Sequence, residues 1–456
     1  MKNVAFHNLG CKVNSYELEF VQQKFIQKGY KVVPFDQNAD IYVINTCTVT
    51  NIADRKSRQM LHQAKKRNPR AVVAALGCYV QTGQEAVKKD ACIDIAIGNN
   101  KKRETVEIIE AYLADAKKAK DSVIDINHTD EYEEMKLEKT GEHTRAYIKI
   151  QDGCNQFCSY CIIPFARGRV RSRLPEDICS EIRGLADKGY REFVLTGIHI
   201  SSYGVDFRDE NLRNSLSGGE EENPAVYGRE KSLLPGLVRV IHGLEGVERL
   251  RLGSLEPRII TEGFVKSLAS MEKICPHFHL SLQSGCDETL RRMNRHYTTE
   301  EYRRGVELLR DYFECPAITT DVIVGFPGET EEEFAATKRF LEEMKLFEMH
   351  VFPYSLRKGT AAAAMEDQID GETKKSRSHE LLAMTRKQSK DYRRQFAGRE
   401  ESVLFEETKV IEGRSYQIGY TARYVKVAKV CGEDLSGRLV RGRIKGMLNE
   451  EILLME

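Results

Sequence analysis

QDGCNQFCSYCIIP, residues 151–164, decides how the centre of this chain folds, because it places three cysteines directly after a predicted strand. That strand is YIKI (147–150), a short apolar run of the kind that forms a buried strand. Structural zinc sites close their tetrahedron with four protein ligands, whereas a cubane held by three cysteines keeps one iron open. The stretch therefore leaves two interpretations: a zinc site whose fourth ligand lies elsewhere, with His199 as the candidate, or an iron–sulfur cluster that is one ligand short.

A series of apolar runs continues the pattern after this stretch, with helical segments between them. They are EFVLTGI (192–198), RLRLGSL (249–255), HFHLSLQ (277–283), AITTDVIVGF (317–326) and EMHVFPY (348–354). About six β/α units predict a central (β/α)6 partial barrel, whose chemistry lies at the C-terminal ends of the strands. The cysteine stretch is at that end of its strand. The polar, Gly-rich segment 205–232 is predicted to be a mobile surface insertion.

The N-terminal part of the chain alternates strand and helix, which predicts a doubly wound α/β domain. The segments are VAFHNL (4–9), SYELEFVQQKFIQKG (15–29), DIYVIN (40–45), NIADRKSRQMLHQAKKR (51–67) and AVVAAL (71–76). After residue 373 a basic helix leads into short strand-like runs separated by Gly-containing turns, which predicts a small C-terminal β-barrel. The predicted division is 1–114, a charged linker 115–139, the central unit 140–372, and the helix with its barrel 373–456.

A second set of three cysteines lies in the N-terminal part. Cys11, Cys47 and Cys78 each come within two residues of the end of a predicted strand. Because the C-terminal ends of parallel strands share one edge of a sheet, we expect the three thiols to converge there as cluster ligands. The alternative is that they pack as small buried hydrophobes.

Composition limits the class of protein. The chain has 456 residues, 41% hydrophobic and 30% charged, with a formal net charge of +1. It shows no apolar run near the roughly 20 residues of a membrane span and no secretory signal at its start, so we expect a cytoplasmic protein without a membrane partner. Disulfides are then not expected among its twelve cysteines. Metal or redox chemistry is expected for the two sets of three, and packing is expected for the other six, which show no shared pattern: Cys92, Cys179, Cys275, Cys286, Cys315 and Cys431.

The motifs resemble one family over nearly the whole chain. CNQFCSYC is similar to the CxxxCxxC signature of radical S-adenosylmethionine enzymes. NLGCKVNSYE, INTCTVT and LGCYVQ resemble the N-terminal domain of methylthiotransferases, and LTGIHISSYG, RLGSLEP, LSLQSGCDETLRRMNRHYT, TDVIVGFPGET and PYSLRKGT resemble their radical core. The tail resembles a TRAM domain, a small RNA-binding barrel.

Three branches of that family compete. Two modify a tRNA adenosine beside the anticodon, which carries either a threonylcarbamoyl or an isopentenyl group, and one modifies a ribosomal-protein aspartate. GCKVN and NTCTVT look most like the threonylcarbamoyladenosine (MtaB-type) branch; the isopentenyladenosine branch usually has GCQMN and the ribosomal-protein branch GCxKN. A rival from another class is a zinc-dependent RNA-binding module.

The resemblance implies an activity and its cofactors. It implies a 4Fe–4S cluster on Cys154, Cys158 and Cys161, where S-adenosylmethionine is cleaved to a radical that attacks C2 of the adenine. It also implies an auxiliary 4Fe–4S cluster on Cys11, Cys47 and Cys78, which carries the sulfur, with two S-adenosylmethionine used per turnover. The implied partners are the tRNA anticodon stem-loop, an electron donor such as flavodoxin or ferredoxin, and a sulfur source. We expect a monomer, and the base must leave its stack to be reached.

Further residues are candidates for binding. Those at strand ends are candidates for contact with S-adenosylmethionine: Gly197, Ser254, Glu256, Gln283, Asp321, Ile323 and Gly325. The alternative for each is a turn glycine or a polar group of a barrel layer.

Arginines on alternate positions of an extended segment would point to one side and suit RNA phosphates or the cofactor carboxylate: Arg167, Arg169, Arg171 and Arg173. In the basic tail, Arg414, Tyr420 and Arg423 could bind backbone and stack bases. A carboxylate-paired strand face and a plain core role are the alternatives for these two groups.

Overall fold

The structure is a computed structural model that describes residues 2–115, 122–140, 144–218, 224–227 and 230–456. Parts of the predicted linker (116–121) and of the predicted insertion (219–223 and 228–229) lie outside the described residues. Within the described ranges, none of the helices has the length and apolar character needed to cross a membrane.

The N-terminal unit is a five-stranded parallel sheet in the order β2-β1-β3-β4-β5, with hydrophobic clusters on both faces. Its elements are β1 (Asn3–Asn8), α1 (Lys12–Gln27), β2 (Lys31–Val33), β3 (Ile41–Thr46), α2 (Asn51–Arg67), β4 (Val72–Gly77), α3 (Cys78–Thr82), α4 (Gln84–Lys89), β5 (Ile95–Ile97) and α5 (Thr105–Ala114). The doubly wound prediction is confirmed. In this strand order the chain reverses direction across the sheet between β1 and β3, which is where such folds bind ligands.

The central unit contains six parallel strands, which belong to two three-stranded sheets, β6-β9-β12 and β13-β14-β15. Isolated bridges between Leu250 and Ile274 and between Leu255 and Leu280 join the two sheets. The elements are β6 (Ala146–Lys149), β7 (Gln151–Asp152), α6 (Ile163–Arg167), β8 (Arg171–Ser172), α7 (Pro175–Ala186), β9 (Glu192–Thr196), α8 (Glu210–Leu216), β10 (Ala225–Tyr227), β11 (Glu230–Lys231), α9 (Leu234–His242), β12 (Arg249–Leu252), α10 (Glu262–Ala269), β13 (His277–His279), α11 (Asp287–Arg292), α12 (Thr299–Tyr312), β14 (Ala317–Val324), α13 (Glu331–Met344) and β15 (Glu348–Pro353).

Side chains of the six strands divide between two faces because they alternate along each strand. One face joins the hydrophobic core beneath the helices, as Ile148, Phe193, Leu250 and Phe278 do. The other face lines the interior of the strand array, which we call the lumen. Lumen positions carry polar residues: Tyr147, Arg251, His277, His279, Asp321 and His350.

The described part of the predicted insertion 205–232 contains a helix and a strand pair, where the sequence predicted a mobile surface segment. Asp209 caps α8 by accepting from the amides of Asn211 and Leu212, and β10 pairs with β11. Leu216 and Val226 are buried. Capping and two apolar anchors thus fix the described part of this segment against the central unit.

The C-terminal unit is the long helix α14 (Gly371–Arg394) followed by five strands whose pairing closes in the order β16-β17-β18-β20-β19. The strands are β16 (Glu400–Ile411), β17 (Arg414–Thr421), β18 (Lys426–Lys429), β19 (Leu439–Met447) and β20 (Leu453–Met455). Arg249 and Arg251 of β12 donate to the carbonyls of Ser402 and Ala422. The C-terminal strands therefore cover the end of the lumen at which the central strands begin.

Candidate functional site

The three N-terminal cysteines converge, as the sequence predicted. Cys47 and Cys78 follow β3 and β4 directly, Cys11 follows β1 by three residues, and β1, β3 and β4 are neighbours in the sheet. The turn before Cys11 crosses Cys47 so closely that a Cβ on Gly10, whose φ is +114°, would lie 3.2 Å from the Cys47 Sγ. We call Cys11, Cys47 and Cys78 the N-terminal trio.

The N-terminal trio needs a cation for its sulfurs to ionise together. Burial, together with the neighbouring thiols of Cys78 and Cys11, raises the pKa of Cys47 to about 11, although Arg167 opposes the shift. Asn99 donates to the Cys78 Sγ at 3.4 Å. Since a bound metal centre displaces the thiol protons, a shared cationic centre would remove this penalty. The donor set fits such a centre.

The second trio is formed by Cys154, Cys158 and Cys161, in the loop between β7 and α6. Two backbone hydrogen bonds hold the loop, from the Cys154 amide to the Gly168 carbonyl at 3.0 Å and from the Cys161 amide to the Cys158 carbonyl at 2.9 Å. Burial raises the pKa of Cys154 to about 12, and the Cys158 thiol adds to the shift. We call these residues the central trio.

Arg295 supplies the positive charge beside the central trio. Its Nη1 lies 3.1 Å from the Cys158 Sγ, and its Nη2 donates to the Ser281 carbonyl at 3.2 Å. The residue is partly buried, and the neighbouring Tyr297 and Cys158 keep the pKa of its guanidinium well above the usual value. A fixed cation at this sulfur favours a ligand set with a net negative charge.

The spacing of both trios argues against a single zinc ion. Tetrahedral sulfurs about 2.3 Å from zinc lie roughly 3.8 Å apart. Among the described residues, the groups of possible ligands whose atoms all lie within 4.8 Å of one another are His62–Asp90–Cys92 and His279–Asp321–His350. Neither trio is that compact. Three converging thiols with wider spacing fit the corners of an iron–sulfur cubane, whose ligands are thiolates.

A buried polar hub links the two trios, and we define it as Asn14, Glu17, Lys102, Lys149, Asp152 and Arg167. The Glu17 carboxylate accepts from Lys102, from Lys149 at 2.7 Å and from Arg167 at 2.7 Å. Lys149 also pairs with Asp152 at 2.7 Å. These cations hold the pKa of Glu17 well below its usual range despite its burial.

The hub joins the helices that follow each trio. Asn14, in α1 just after Cys11, donates to the Thr46 carbonyl at 3.1 Å and accepts from Arg167 at 2.5 Å. Arg167 ends α6, which begins just after the central trio. Asn99 adds a second link, because the amide that reaches Cys78 also donates to the Ala166 carbonyl at 2.7 Å. The hub therefore fixes the two cysteine loops relative to each other.

Three of the four arginines predicted to face RNA are buried, and that prediction is wrong for them. Arg167 belongs to the hub, Arg173 pairs with Glu134 and Glu181, and Arg171 donates to the carbonyls of Arg167 and Arg169. Arg169 alone of the four is exposed, with its guanidinium 4.4 Å from the Phe157 ring. The expected extended segment is instead α6, a glycine turn and the short strand β8, so the four side chains do not share one face.

Three of the strand-end candidates for cofactor binding lie near the central trio, whereas Ser254 is exposed. Glu256 and Ile323 lie beside the central trio: Glu256 accepts from Gln156 at 3.2 Å, and Ile323 packs in a cluster with Tyr160. Gln283 is buried near the same edge, where its amide donates to the Asp321 carbonyl at 2.9 Å. Ser254 is exposed at the end of β12. The sequence-based role of these residues stays a prediction.

The two glycines among these candidates are explained by close packing. A Cβ on Gly197 would lie 2.9 Å from the Gln151 carbonyl, and one on Gly325, whose φ is +68°, would lie 2.3 Å from the Lys374 side chain. Both positions need a residue without a side chain for the backbone to approach its neighbour. Contact with a cofactor is not required to account for either.

The three RNA-binding candidates of the basic tail lie in different environments. Arg423 is wrongly predicted to bind RNA, because it donates to the carbonyls of Glu314 and Cys315 and pairs with Glu401, which joins the C-terminal strands to the central unit. Arg414 is exposed over the Tyr416 ring at 5.7 Å. Tyr420 is half-buried and stacks on Tyr424 with ring centroids 4.9 Å apart.

Sequence reasoning missed the polar lumen. The His279 Nε2 lies 3.2 Å from Asp321, whose strand neighbour is His350, and the two imidazole rings stack at 5.8 Å. A groove of about 420 Å³ leads from His350 to Tyr420, Tyr424 and Lys426. The available signal was the alternation of polar residues in HFH, TTD and EMH, which the apolar reading of these strands obscured.

Comparisons with known proteins agree with this architecture. Residues 3–98 match the uncharacterized protein family UPF0004, and residues 148–341 match the radical SAM superfamily. The chain is 41% identical over 97% of its length, and 94% of the relative's, to the threonylcarbamoyladenosine tRNA methylthiotransferase MtaB of Bacillus subtilis. It is 32% identical over 97% of its length, and 95% of the relative's, to the tRNA-2-methylthio-N(6)-dimethylallyladenosine synthase of Clostridium botulinum.

Solved structures show the same fold at low identity. The radical S-adenosylmethionine methyltransferase TsrM of Kitasatospora setae, bound to tryptophan and a SAM analogue, matches with a TM-score of 0.54 and 14% identity over 77% of this chain and 73% of that one. The sequence relatives and the family match confirm the family resemblance that the motifs indicated. The chain belongs to the MtaB-type branch of the radical S-adenosylmethionine methylthiotransferase family.

Proposed function

We propose that this enzyme inserts a methylthio group at C2 of N6-threonylcarbamoyladenosine, next to the anticodon of tRNA. The observation that carries the proposal is the pair of convergent cysteine trios held together by one buried hub. The MtaB relatives, named for this substrate, align over nearly the whole chain. Relatives named for dimethylallyladenosine align at lower identity, so that substrate is the second candidate.

The N-terminal and central trios would each hold a 4Fe–4S cluster with one iron free of protein ligands. When bound, these clusters and S-adenosylmethionine supply the radical and the sulfur that an unreactive aromatic C–H requires. The protein holds the two sites in fixed relation through the hub and supplies a cation to Cys158 from Arg295. Glu256 and Gln283 remain candidates to bind the cofactor at the central trio.

The target base would be taken from its stack into the lumen. Support comes from the groove that joins His350 to the stacked pair Tyr420–Tyr424, since aromatic faces accept unstacked bases. The exposed Arg169 and Arg414 and the half-buried Lys426 would contact the RNA backbone. On this proposal the C-terminal strands form a TRAM-type barrel, and the units 1–114, 140–372 and 373–456 keep their assigned roles of auxiliary site, radical core and RNA binding.

Nucleoside analysis tests the proposal. The gene is deleted in its host, and tRNA nucleosides are compared by mass spectrometry before and after complementation with the wild type or with Cys47→Ala. We expect methylthio-threonylcarbamoyladenosine to disappear on deletion and to return only with the wild type. If that nucleoside is unchanged while the methylthio-isopentenyl nucleoside disappears, the second candidate is correct.

A further inference from the structure

Polar residues close the lumen at the end where the central strands begin. Tyr147 on β6, Arg251 on β12 and His277 on β13 face inward there, and Tyr424 reaches them from the C-terminal strands. The Arg251 guanidinium lies 4.9 Å from the Tyr424 ring, and the His277 ring lies 5.3 Å from it. We call Tyr147, Arg251, His277 and Tyr424 the lumen floor.

Two buried nitrogen atoms of the lumen floor have no hydrogen-bond partner in the part of the chain that the structure describes. They are Nη2 of Arg251 and Nδ1 of His277. Arg251 is only 2% exposed, and its other nitrogens bind Glu192 at 2.9 Å and the Ala422 carbonyl at 2.9 Å. These two bonds fix the guanidinium and leave Nη2 directed elsewhere. A buried donor left unpaired costs about 1–3 kcal/mol, so these atoms point to a ligand.

Lys12 brings a third nitrogen to the same space. It follows Cys11 directly, and its Nζ lies 5.8 Å from the Tyr147 ring centroid. No ion pair of Lys12 occurs within the described ranges. Lys12 is an exposed residue that reaches Tyr147, a member of the lumen floor.

The surrounding charges favour an anion. Arg145, Arg249 and Arg251 share the buried carboxylate of Glu192, and Glu406 pairs with Arg145. With Lys12, four basic groups therefore face two carboxylates. Burial and the nearby Arg251 and Lys12 hold the pKa of His277 well below its usual range, so its ring is neutral and offers one N–H. A site with surplus positive charge and with donors that lack a partner suits a carboxylate.

We propose that Lys12, Arg251 and His277 bind the free carboxylate of the threonyl substituent on the target adenosine. The inference rests on the proposed function. In adenine, N1 is bonded to C2 and to C6, and C6 carries N6, so C2 and N6 lie on the same edge of the ring. A base whose C2 faces the N-terminal trio therefore directs its N6 substituent past Lys12 toward the lumen floor.

The site also accounts for selectivity between the two tRNA substrates. An isopentenyl group has no polar atom, so it would leave the Arg251, His277 and Lys12 nitrogens unpaired and bury apolar surface against charge. A pocket built for a polar group rejects the analogue that lacks it more strongly than an apolar pocket rejects an added group. The lumen floor would therefore exclude isopentenyladenosine.

Binding measurements on the full-length reconstituted protein test the site. Three anticodon stem-loop RNAs are compared by fluorescence anisotropy: one with threonylcarbamoyladenosine, one with its neutral carboxamide, and one with isopentenyladenosine. A charged hydrogen bond is worth about 1.5–3 kcal/mol, so we expect the wild type to prefer the carboxylate over the carboxamide by roughly tenfold or more. Lys12→Gln should reduce that preference to about threefold, because the lost ammonium binds a carboxylate more strongly than it binds a neutral carboxamide.

Two further variants make the result decisive. His277→Phe should also narrow the preference for the carboxylate RNA, whereas Lys28→Gln, which changes an exposed lysine that directly follows α1 and pairs with Glu110, should retain it. The site is refuted if Lys12→Gln and His277→Phe both keep the wild-type preference, or if the wild type binds the carboxamide RNA equally well. In either case methylthiolation of the threonylcarbamoyl RNA by the wild type would leave the proposed function intact. Methylthiolation of the isopentenyl RNA alone would overturn both.

Discussion

Replacement of Glu17 by glutamine removes the central charge of the buried hub. The structure limits the damage to one cation, because Lys149 keeps Asp152 at 2.7 Å and Arg167 keeps it at 3.1 Å. Lys102 pairs with Glu17 and with no second carboxylate among the described ion pairs, and its side chain is 1% exposed. Breaking a buried pair costs about 3–5 kcal/mol. We expect the lower end, about 3 kcal/mol, since the glutamine can still accept from one donor.

Hydrogen exchange of backbone amides measures the loss of local stability that Glu17→Gln causes around the hub. Amides of α1 and β6 report the local opening that separates the N-terminal unit from the central unit, without requiring a two-state transition of the whole chain. A loss of about 3 kcal/mol corresponds to roughly hundredfold faster exchange. Adding Lys102→Met to Glu17→Gln should restore part of the protection, because no buried charge is then left unpaired.

An exposed pair supplies the control. Glu107→Gln breaks the Lys24–Glu107 pair, in which the carboxylate side chain is 51% exposed, and such pairs contribute about 1 kcal/mol or less. The reasoning is refuted if Glu17→Gln leaves exchange in α1 and β6 unchanged, or if the double variant exchanges as fast as the single one.

Three other predictions concern the charges and the two trios. Three arginines lower the pKa of the buried Glu192 to about 2, below its usual 4.5. The ionised carboxylate therefore contributes roughly 3 kcal/mol of stability, which is complete above about pH 4.5 and is lost as the pH falls through 2. Glu192→Gln should flatten the acid limb of a curve of stability against pH. Cys47→Ala should lose about half the iron by metal analysis and still cleave S-adenosylmethionine, whereas Cys158→Ala should abolish cleavage; loss of cleavage in a folded Cys47→Ala would contradict separate roles. Arg295→Met should lower the reduction potential of the central cluster by on the order of 60 mV in an EPR titration, because the reduced cluster loses a neighbouring cation; an unchanged potential would contradict that role.

The sequence was sufficient for features that depend on local patterns. Apolar runs located β1, β3 and β4 to within about one residue, and the rule that parallel strands end at one edge brought the N-terminal trio together. The strands β2 and β5 were missed because three residues carry too little periodicity to be recognised. The central trio could be identified from the spacing of its three cysteines alone.

Features that depend on packing between units could not be predicted. Arg167 and Arg173 look like any basic residues in a sequence. Only the packing of α1, β7 and α7 shows that Glu17, Asp152 and Glu181 neutralise them in the interior. Burial of charge depends on a partner distant in the chain, which a local pattern does not contain. The lumen floor was missed for the same reason, since Tyr424 reaches Arg251 and His277 from another unit.

Direct competition between the two candidate substrates tests the central claim. The reconstituted enzyme is given equal amounts of anticodon stem-loops that carry threonylcarbamoyladenosine and isopentenyladenosine, with S-adenosylmethionine, a reductant and sulfide, and nucleoside products are quantified by mass spectrometry. The account predicts that the methylthio group accumulates on the threonylcarbamoyl RNA while the isopentenyl RNA stays unmodified. Accumulation on the isopentenyl RNA, with the threonylcarbamoyl RNA unchanged, would contradict it.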